Sequence, residues 1–293
     1  MQAVKVWSAG LLQRVGFVVG CGLAGWTCSS VAAEAPLLPL PPRSADAATG
    51  TQFHEQIDKL VEPEREALVL ATIQQGNVPS FLRRLMSISV SETTNGASHS
   101  ARYFVAPDYV AIGSDADFFR MPMSATLAQQ VADLCGCTLP TRKMVNDIYQ
   151  HATGKLNPCP FSPLEYEIAS PSTWWLSEKA IEDECEFRGA RAGELLAGIK
   201  KDIVITPLIL VRPPPPRVAI YGWHLLDGKA IQPLSLVHRF NYKDYSHGVR
   251  LVWQSLEVDG RETTIGAVLA DTERCTLLSD EGATTVTRYP IPN

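Results

Sequence analysis

The sequence predicts an α+β fold in which antiparallel strands lie in two blocks around a helical middle segment. Three observations favour this class. Residues 85–90 alternate apolar with small polar side chains, which is the period of a half-buried strand. Residues 144–149 place apolar side chains at helical spacing instead, and short β-branched runs return from residue 203 onward. Helical and strand patterns therefore occupy separate parts of the chain.

The composition is that of a globular protein. The chain has 293 residues, of which 45 % are hydrophobic and 19 % are charged. A fully disordered chain would be more charged and less apolar, and no internal repeat of fixed period is present. The formal net charge of −5 argues against a protein that binds nucleic acid through its phosphates.

The first 33 residues have the pattern of a secretory signal peptide. Lys5 and Arg14 precede an apolar run at residues 15–26, and small residues follow up to Ala33. Because a bilayer span needs about 20 apolar residues, this run is too short to be a typical transmembrane helix. We therefore expect cleavage after Ala33 and a bacterial protein that is secreted or periplasmic. A lipoprotein tethered through Cys21 and an uncleaved anchor are the alternatives.

The rest of the chain divides into a linker and a domain. Residues 34–50 are rich in proline and small residues, which predicts an exposed linker. Residues 51–293 are expected to form a single α+β domain, with residues 155–175 as the place where it would subdivide. Export permits structural disulfides among the cysteines that follow the signal segment, which are Cys135, Cys137, Cys159, Cys185 and Cys275.

The first half of the domain is predicted to begin with one or two short amphipathic helices at residues 53–75. A strand at residues 85–90 then leads into a hairpin turn at residues 92–96. Strands at residues 101–105 and 109–113 continue an antiparallel meander. Ser124 and Thr141 are placed to cap two helices, of which the first ends near residue 134.

The second half is predicted to begin with a long surface connection and a polar, mostly helical segment. These two segments span residues 155–172 and 177–199. Strands are expected at residues 203–205, 218–221, 234–242 and 249–258. Asp259 and Gly260 form the turn that ends the last of these strands, and a helix is expected at residues 264–270. Whether the two strand blocks form one sheet is left open by the pattern.

The densest group of polar residues lies in the second strand block. Three of the six histidines lie close to the ends of predicted strands, and these are His224, His238 and His247. His238 is expected within the strand at residues 234–242. A rigid strand holds such groups while a short loop exposes them, so active sites favour these places. We expect His247 or His224 to be the general base and Asp244 to orient it. Side chains that assist or stabilise charge would be Ser246, Lys201 and Tyr245.

Other types of site are less favoured by the pattern. His224, His238, His247 and Asp244 have the chemistry of zinc ligands, but their spacing matches no zinc signature. No motif for a nucleotide cofactor is present, and no cofactor is predicted. Each residue of the group also has a structural interpretation, since Asp and Ser build turns and histidines occur as half-buried hydrogen-bonding groups.

Residues Ser246–Arg250, Ser-His-Gly-Val-Arg, resemble the Ser-His-Gly-Cys-x-Arg signature of bacterial L,D-transpeptidases. Those enzymes use the cysteine after the glycine as their nucleophile. Here Val249 stands at that position and Arg250 comes one residue early, so the resemblance implies no transpeptidase activity. The segments Leu139–Met144, Lys201–Val204 and Tyr245–Gly248 resemble parts of exported bacterial proteins with no assigned function.

The sequence therefore favours a secreted or periplasmic hydrolase that acts on a cell-wall or polysaccharide polymer. The principal alternative is an exported, non-catalytic protein that binds a glycan or a peptide. Its binding surface would be an aromatic platform of Trp174, Trp175, Tyr221, Trp223 and Tyr245. A metal-dependent hydrolase that uses the same histidines is the third interpretation. The partner in each case is an extracellular polymer or its fragments.

Overall fold

The computed structural model describes residues 34–211 and 216–291, and the predicted signal peptide, residues 1–33, lies outside them. Capping side chains set where several helices begin. The hydroxyls of Ser124, Thr141 and Thr264 each accept a hydrogen bond from a backbone N–H in the first turn of the following helix. The helices are α1 (Gly50–Ile57), α2 (Glu64–Gln74), α3 (Ser80–Arg83), α4 (Ala125–Leu134), α5 (Arg142–His151), α6 (Pro171–Arg188), α7 (Leu208–Val211) and α8 (Ile265–Ala270).

The strands are short, apart from the first hairpin. In chain order they are β1 (Met86–Thr94), β2 (Ala97–Val105), β3 (Ala111–Gly113), β4 (Phe118–Arg120), β5 (Cys137–Thr138), β6 (Gly154–Lys155), β7 (Leu196–Ala197), β8 (Lys201–Ile203), β9 (Ile220–His224), β10 (Ala230–Ser235), β11 (His247–Gly248), β12 (Val252–Trp253), β13 (Ser255–Val258) and β14 (Arg261–Thr264). The predicted α+β class is confirmed, with antiparallel pairing in most of the sheets.

Two sheets organise the described residues. The larger contains β14, β13, β2, β12 and β5 in that order, with β1 paired to β2. The second has the order β10-β9-β8-β11, and β11 joins β8 in parallel. The late strands β12 and β13 pair with the early strand β2, so the two strand blocks share the larger sheet. Of the polar residues that the sequence singles out, the second sheet carries Lys201, His224 and His247, and the others lie in the loop between β10 and β11.

Several segments differ from the sequence prediction. Residues 109–113 do not extend the meander, because β3 pairs with β4, a three-residue strand too short to show a period. His238 lies in the loop after β10 rather than inside a strand, because β10 ends at Ser235. Part of the predicted linker lies against the domain. Leu38 is buried there, and its N–H donates to the carbonyl of Arg83.

From Ala35 onward, the described residues form one compact unit. The unit is held by an extended apolar core that includes Tyr103, Phe119 and Ile148. The five cysteines in the described residues are free thiols, of which Cys159 is exposed, so the disulfide expectation stays a prediction. Among residues 34–211 and 216–291, none of the helices has the length and the apolar character that crossing a bilayer requires.

Candidate functional site

The turn that precedes β11 gathers one group of polar side chains, which we call the His247 cluster: Lys201, His238, Tyr242, Asp244, Ser246 and His247. The backbone forms this turn because His247 N–H donates to the Asp244 carbonyl at 3.1 Å. Parallel pairing of β11 with β8 then sets His247 beside Lys201. The sequence grouped Lys201 with His247 by residue type, and this strand pairing is what places them side by side.

The carboxylate of Asp244 accepts hydrogen bonds from Ser246 and Tyr242 rather than from a histidine. Its Oδ1 accepts from Ser246 Oγ at 2.5 Å and from Ser246 N at 2.8 Å, and its Oδ2 accepts from Tyr242 Oη at 3.1 Å. Burial raises the pKa of Asp244, but the neighbouring His247, the Ser246 hydrogen bonds and the charge of Lys201 together outweigh burial, so the net shift is downward. The carboxylate is therefore ionised and fixed, and Asp244, Ser246 and His247 do not form a hydrogen-bonded triad.

His247 is fully enclosed. Its side chain has no solvent exposure, and neither ring nitrogen has a hydrogen-bond partner among the described residues. The edge of its ring meets Tyr242 at 5.7 Å between centroids, and Tyr242 in turn stacks on the exposed His238 at 4.0 Å. Burial lowers the pKa of His247 to about 4, so the imidazole is neutral at pH 7. No side chain of the described residues fixes which nitrogen carries its proton.

Lys201 and Tyr245, the other two residues that were expected to assist catalysis, make contacts of a structural kind. Lys201 Nζ lies 4.6 Å from the centre of the Trp223 ring, and burial lowers the pKa of this lysine. Tyr245 is buried, with its hydroxyl accepting from Phe161 N at 2.6 Å. Its carbonyl accepts from the buried Lys200 Nζ, also at 2.6 Å. Tyr245 therefore ties the turn before β11 to two other segments.

Lys200 belongs to a buried group of charges that sequence reasoning missed. Arg120 makes ion pairs with Asp108, at 2.7 Å, and with Glu178, and all three side chains are buried. Burial lowers the pKa of Lys200 to about 8, while the charge of Glu178 opposes that shift. Such buried pairs hold their elements in one arrangement, because separating them would leave a bare charge in the core.

His224 lies apart from the His247 cluster and contacts α5. Its Nε2 lies 3.0 Å from Asn146 Oδ1, and the same oxygen accepts from Tyr221 Oη at 3.0 Å. The imidazole stacks on the Tyr149 ring with centroids 4.5 Å apart. An amide oxygen can only accept, so Nε2 must carry the proton and Nδ1 keeps its lone pair. Burial lowers the pKa of His224 to about 4.

This imidazole reaches an open pocket, unlike that of His247. We call it the His224 pocket, and its lining residues are Asn146, Tyr149, Gln150, Lys155, Tyr221, His224, Leu226, Asp227 and Gly228. Helix α5 supplies one wall, and the turn between β9 and β10 supplies another. The pocket therefore combines an oriented, neutral imidazole with amide, phenol, ammonium and carboxylate groups.

The lining residues from α5 and from the β9–β10 turn are not among those that the sequence singled out. Asn146 and Tyr149 lie three residues apart, so a helix places both on one face, and that spacing is the only signal available from the sequence. Tyr149 is buried, as its place in the predicted apolar stripe of this helix requires. A lone asparagine on an amphipathic helix has no motif that marks it as a partner of a distant histidine.

The proposed set of zinc ligands is not assembled. His224 contacts Asn146 and Tyr149, whereas His238, Asp244 and His247 lie around Tyr242. In the part of the chain that the structure describes, no group of three or more His, Cys, Asp and Glu side chains has the arrangement of a metal site. The predicted aromatic platform is not formed either, because Trp174, Trp223 and Tyr245 are buried.

Comparison of the chain with protein-family models, with curated proteins and with solved structures finds no match.

Proposed function

We propose that this protein is an exported hydrolase whose general base is His224. The observation that supports the proposal is the hydrogen bond from His224 Nε2 to Asn146 Oδ1 at the wall of an open pocket. A general base needs a fixed ring and a free lone pair within reach of the substrate. His224 has a partner that fixes its tautomer, whereas His247 has none among the described residues and is sealed from solvent.

The pocket residues favour direct attack by water. Among the described residues that line the His224 pocket, none is a serine, threonine or cysteine, so a covalent intermediate on such a side chain is not expected there. In the proposed step, His224 Nδ1 takes a proton from a water molecule as the water oxygen attacks the electrophilic atom of the scissile bond. The bond to the leaving group then breaks, and the leaving group takes the proton from His224, which returns the imidazole to its neutral form.

The substrate class follows from the predicted compartment. The signal-peptide pattern leads us to propose that the enzyme works outside the cytoplasm on cell-wall material or another polysaccharide polymer. A pocket at the surface can reach a bond inside a long polymer, because such a substrate does not have to be enclosed.

Release of soluble fragments from labelled cell-wall sacculi and from labelled polysaccharide tests the proposal. We expect the wild-type protein to release fragments from one of them and His224→Gln to be slower by about 10²- to 10⁴-fold, the usual contribution of a general base. His238→Ala is the matched control, because this exposed histidine lies outside the pocket. Activity that survives in His224→Gln, or no release by the wild type, would contradict the proposal.

A non-catalytic binding protein is the second candidate. The observation that favours it is the presence of Tyr149 and Tyr221 in the same open pocket, since aromatic and amide side chains are common in binding sites. Co-sedimentation with sacculi that does not lead to fragment release would support this candidate. Fragment release that depends on His224 would exclude it.

A further inference from the structure

Lys155 is a half-buried cation of the His224 pocket without an anionic partner. Its Nζ lies 5.1 Å from the centre of the Tyr149 ring, and it makes no salt bridge within residues 34–211 and 216–291. A cation over an aromatic face is attracted to the ring, but it keeps hydrogen-bonding capacity that an anion can use. Lys155 is therefore placed to receive a carboxylate.

Asp227 provides the opposite charge at the same pocket. It is exposed, it forms no salt bridge among the described residues, and its Oδ1 accepts from the Lys229 N–H at 2.9 Å. That bond fixes the carboxylate in the turn between β9 and β10, where Gly228 N–H donates to the Leu225 carbonyl. The same carbonyl accepts from Tyr149 Oη at 2.6 Å. Asp227 and Lys155 therefore both lie near Tyr149.

A ligand with a carboxylate and an ammonium group matches this pair of charges. The same pocket offers the side-chain amides of Asn146 and Gln150, which can bond to a peptide group. A neutral sugar is less well matched, because the Tyr149 ring already carries the stacked His224 and the Lys155 ammonium. Stacking of a pyranose on Tyr149 would have to displace one of them.

We propose that the His224 pocket binds a peptide segment, with its carboxylate at Lys155 and its ammonium group at Asp227. The inference rests on the proposed function for its site and names a substrate class for it, namely the peptide portion of a cell-wall polymer. Binding does not require turnover, so the two proposals can fail independently.

Calorimetric titration with small peptides tests the inference. The probes are alanyl-alanine, N-acetyl-alanyl-alanine, alanyl-alanine amide and cellotetraose. We expect alanyl-alanine to bind most tightly, each capped peptide to bind about three- to fivefold more weakly, as the loss of one exposed charge pair implies, and cellotetraose not to bind. Equal affinity for the capped and uncapped peptides, binding of cellotetraose alone, or no binding of alanyl-alanine would overturn the inference.

Charge variants assign the two ends of the ligand. We expect Lys155→Met to remove the advantage of the free carboxylate and Asp227→Asn to remove that of the free ammonium group. Lys59→Met is the matched control, because Lys59 is exposed and lies outside the pocket. If both pocket variants bind all three peptides as the wild type does, the inference is wrong. A wild-type protein that binds alanyl-alanine but releases no polymer fragments would overturn the proposed hydrolase and leave this inference standing.

Discussion

At the scale of the residue, one hydrogen-bond partner distinguishes the roles of two buried histidines. His224 and His247 both have a pKa of about 4, and burial is the main cause in each case. Asn146 fixes the tautomer of His224, whose ring faces an open pocket, while both nitrogens of His247 are enclosed without partners among the described residues. The pKa alone therefore does not separate a candidate base from a buried structural ring, whereas the hydrogen-bond partner does.

The first prediction concerns the Asn146 partner. Asn146→Asp places a carboxylate beside His224 Nε2, and an adjacent negative charge favours the imidazolium form. We expect the pKa of His224 to rise by about one unit or more, because an opposite charge at hydrogen-bond distance has an effect of that size. Titration of the histidine ring signals by NMR measures the shift. The pKa of His247 serves as the internal control, and an unchanged His224 titration would contradict the contact between residue 146 and the imidazole.

Local sequence patterns predict single residues well where the interaction is itself local. Ser124 and Thr141 cap the helices that follow them, as their hydroxyls and positions suggest. The partnership of His224 with Asn146 is different, because the two residues are 78 positions apart and meet only through the packing of α5 on β9. The histidines could be singled out from the sequence, but the environment of each could not.

At the scale of the element, the packing of α5 against β9 builds the pocket wall. Gly222 in β9 has a φ of +105°, a backbone conformation that favours glycine. A Cβ atom at Gly222 would lie 3.1 Å from Val145 Cγ1 on α5 and 3.4 Å from His224 Cε1. The absence of a side chain at Gly222 therefore allows α5 to approach the strand and to bring Asn146 to His224.

The second prediction tests this close approach. Gly222→Ala should lower the free energy of unfolding by about 1–2 kcal/mol more than Gly260→Ala, because overpacking adds to the cost of positive φ. Gly260 is the matched control, since it has a φ of +76° and a Cβ atom there would meet none of the described atoms within 4 Å. Urea unfolding measures both variants. Equal destabilisation would show that contact with Val145 does not limit the packing.

Element boundaries were predictable where a turn or cap marks them, and pairings were not. Asp259 and Gly260 end β13 as their turn chemistry requires, and Thr264 caps α8. The parallel pairing of β11 with β8 involves only two residues on β11, which are too few to show the alternating pattern that predicts a strand. That pairing places His247 beside Lys201, so the sequence could group the two residues by type but could not predict the strand contact that joins them.

At the scale of the whole molecule, buried titratable groups link stability to pH with opposite signs. His224 and His247 bind a proton in the unfolded chain between pH 6.5 and about 4 but not in the folded protein, so they reduce stability as the pH falls through that window. Burial raises the pKa of Asp202 to about 7. The stability that Asp202 contributes is present at low pH and is lost as the pH rises from about 4 to about 7.

The third prediction isolates one of these groups. His247→Leu removes a buried imidazole that makes no hydrogen bond within the described part of the chain, so we expect little loss of stability at pH 7. As the pH falls from 6.5 to about 4, the free energy of unfolding of the variant should increase relative to that of the wild type. The increase should be up to about 1.4 kcal/mol per pH unit, the slope for one proton. Denaturant unfolding at several pH values measures the difference. Parallel stability curves would mean that His247 titrates normally in the folded state.

The pH dependence of polymer cleavage by the wild type and by Asn146→Asp tests the central claim most directly. His224 must be deprotonated to act as a base, so the initial rate of the wild type should be constant at neutral pH and fall in acid with a midpoint near its pKa of about 4. In Asn146→Asp the midpoint should move to higher pH by the same amount as the His224 titration. If the midpoint of the acid-side fall in cleavage rate does not change while the pKa of His224 rises, the assignment of His224 as the base is contradicted.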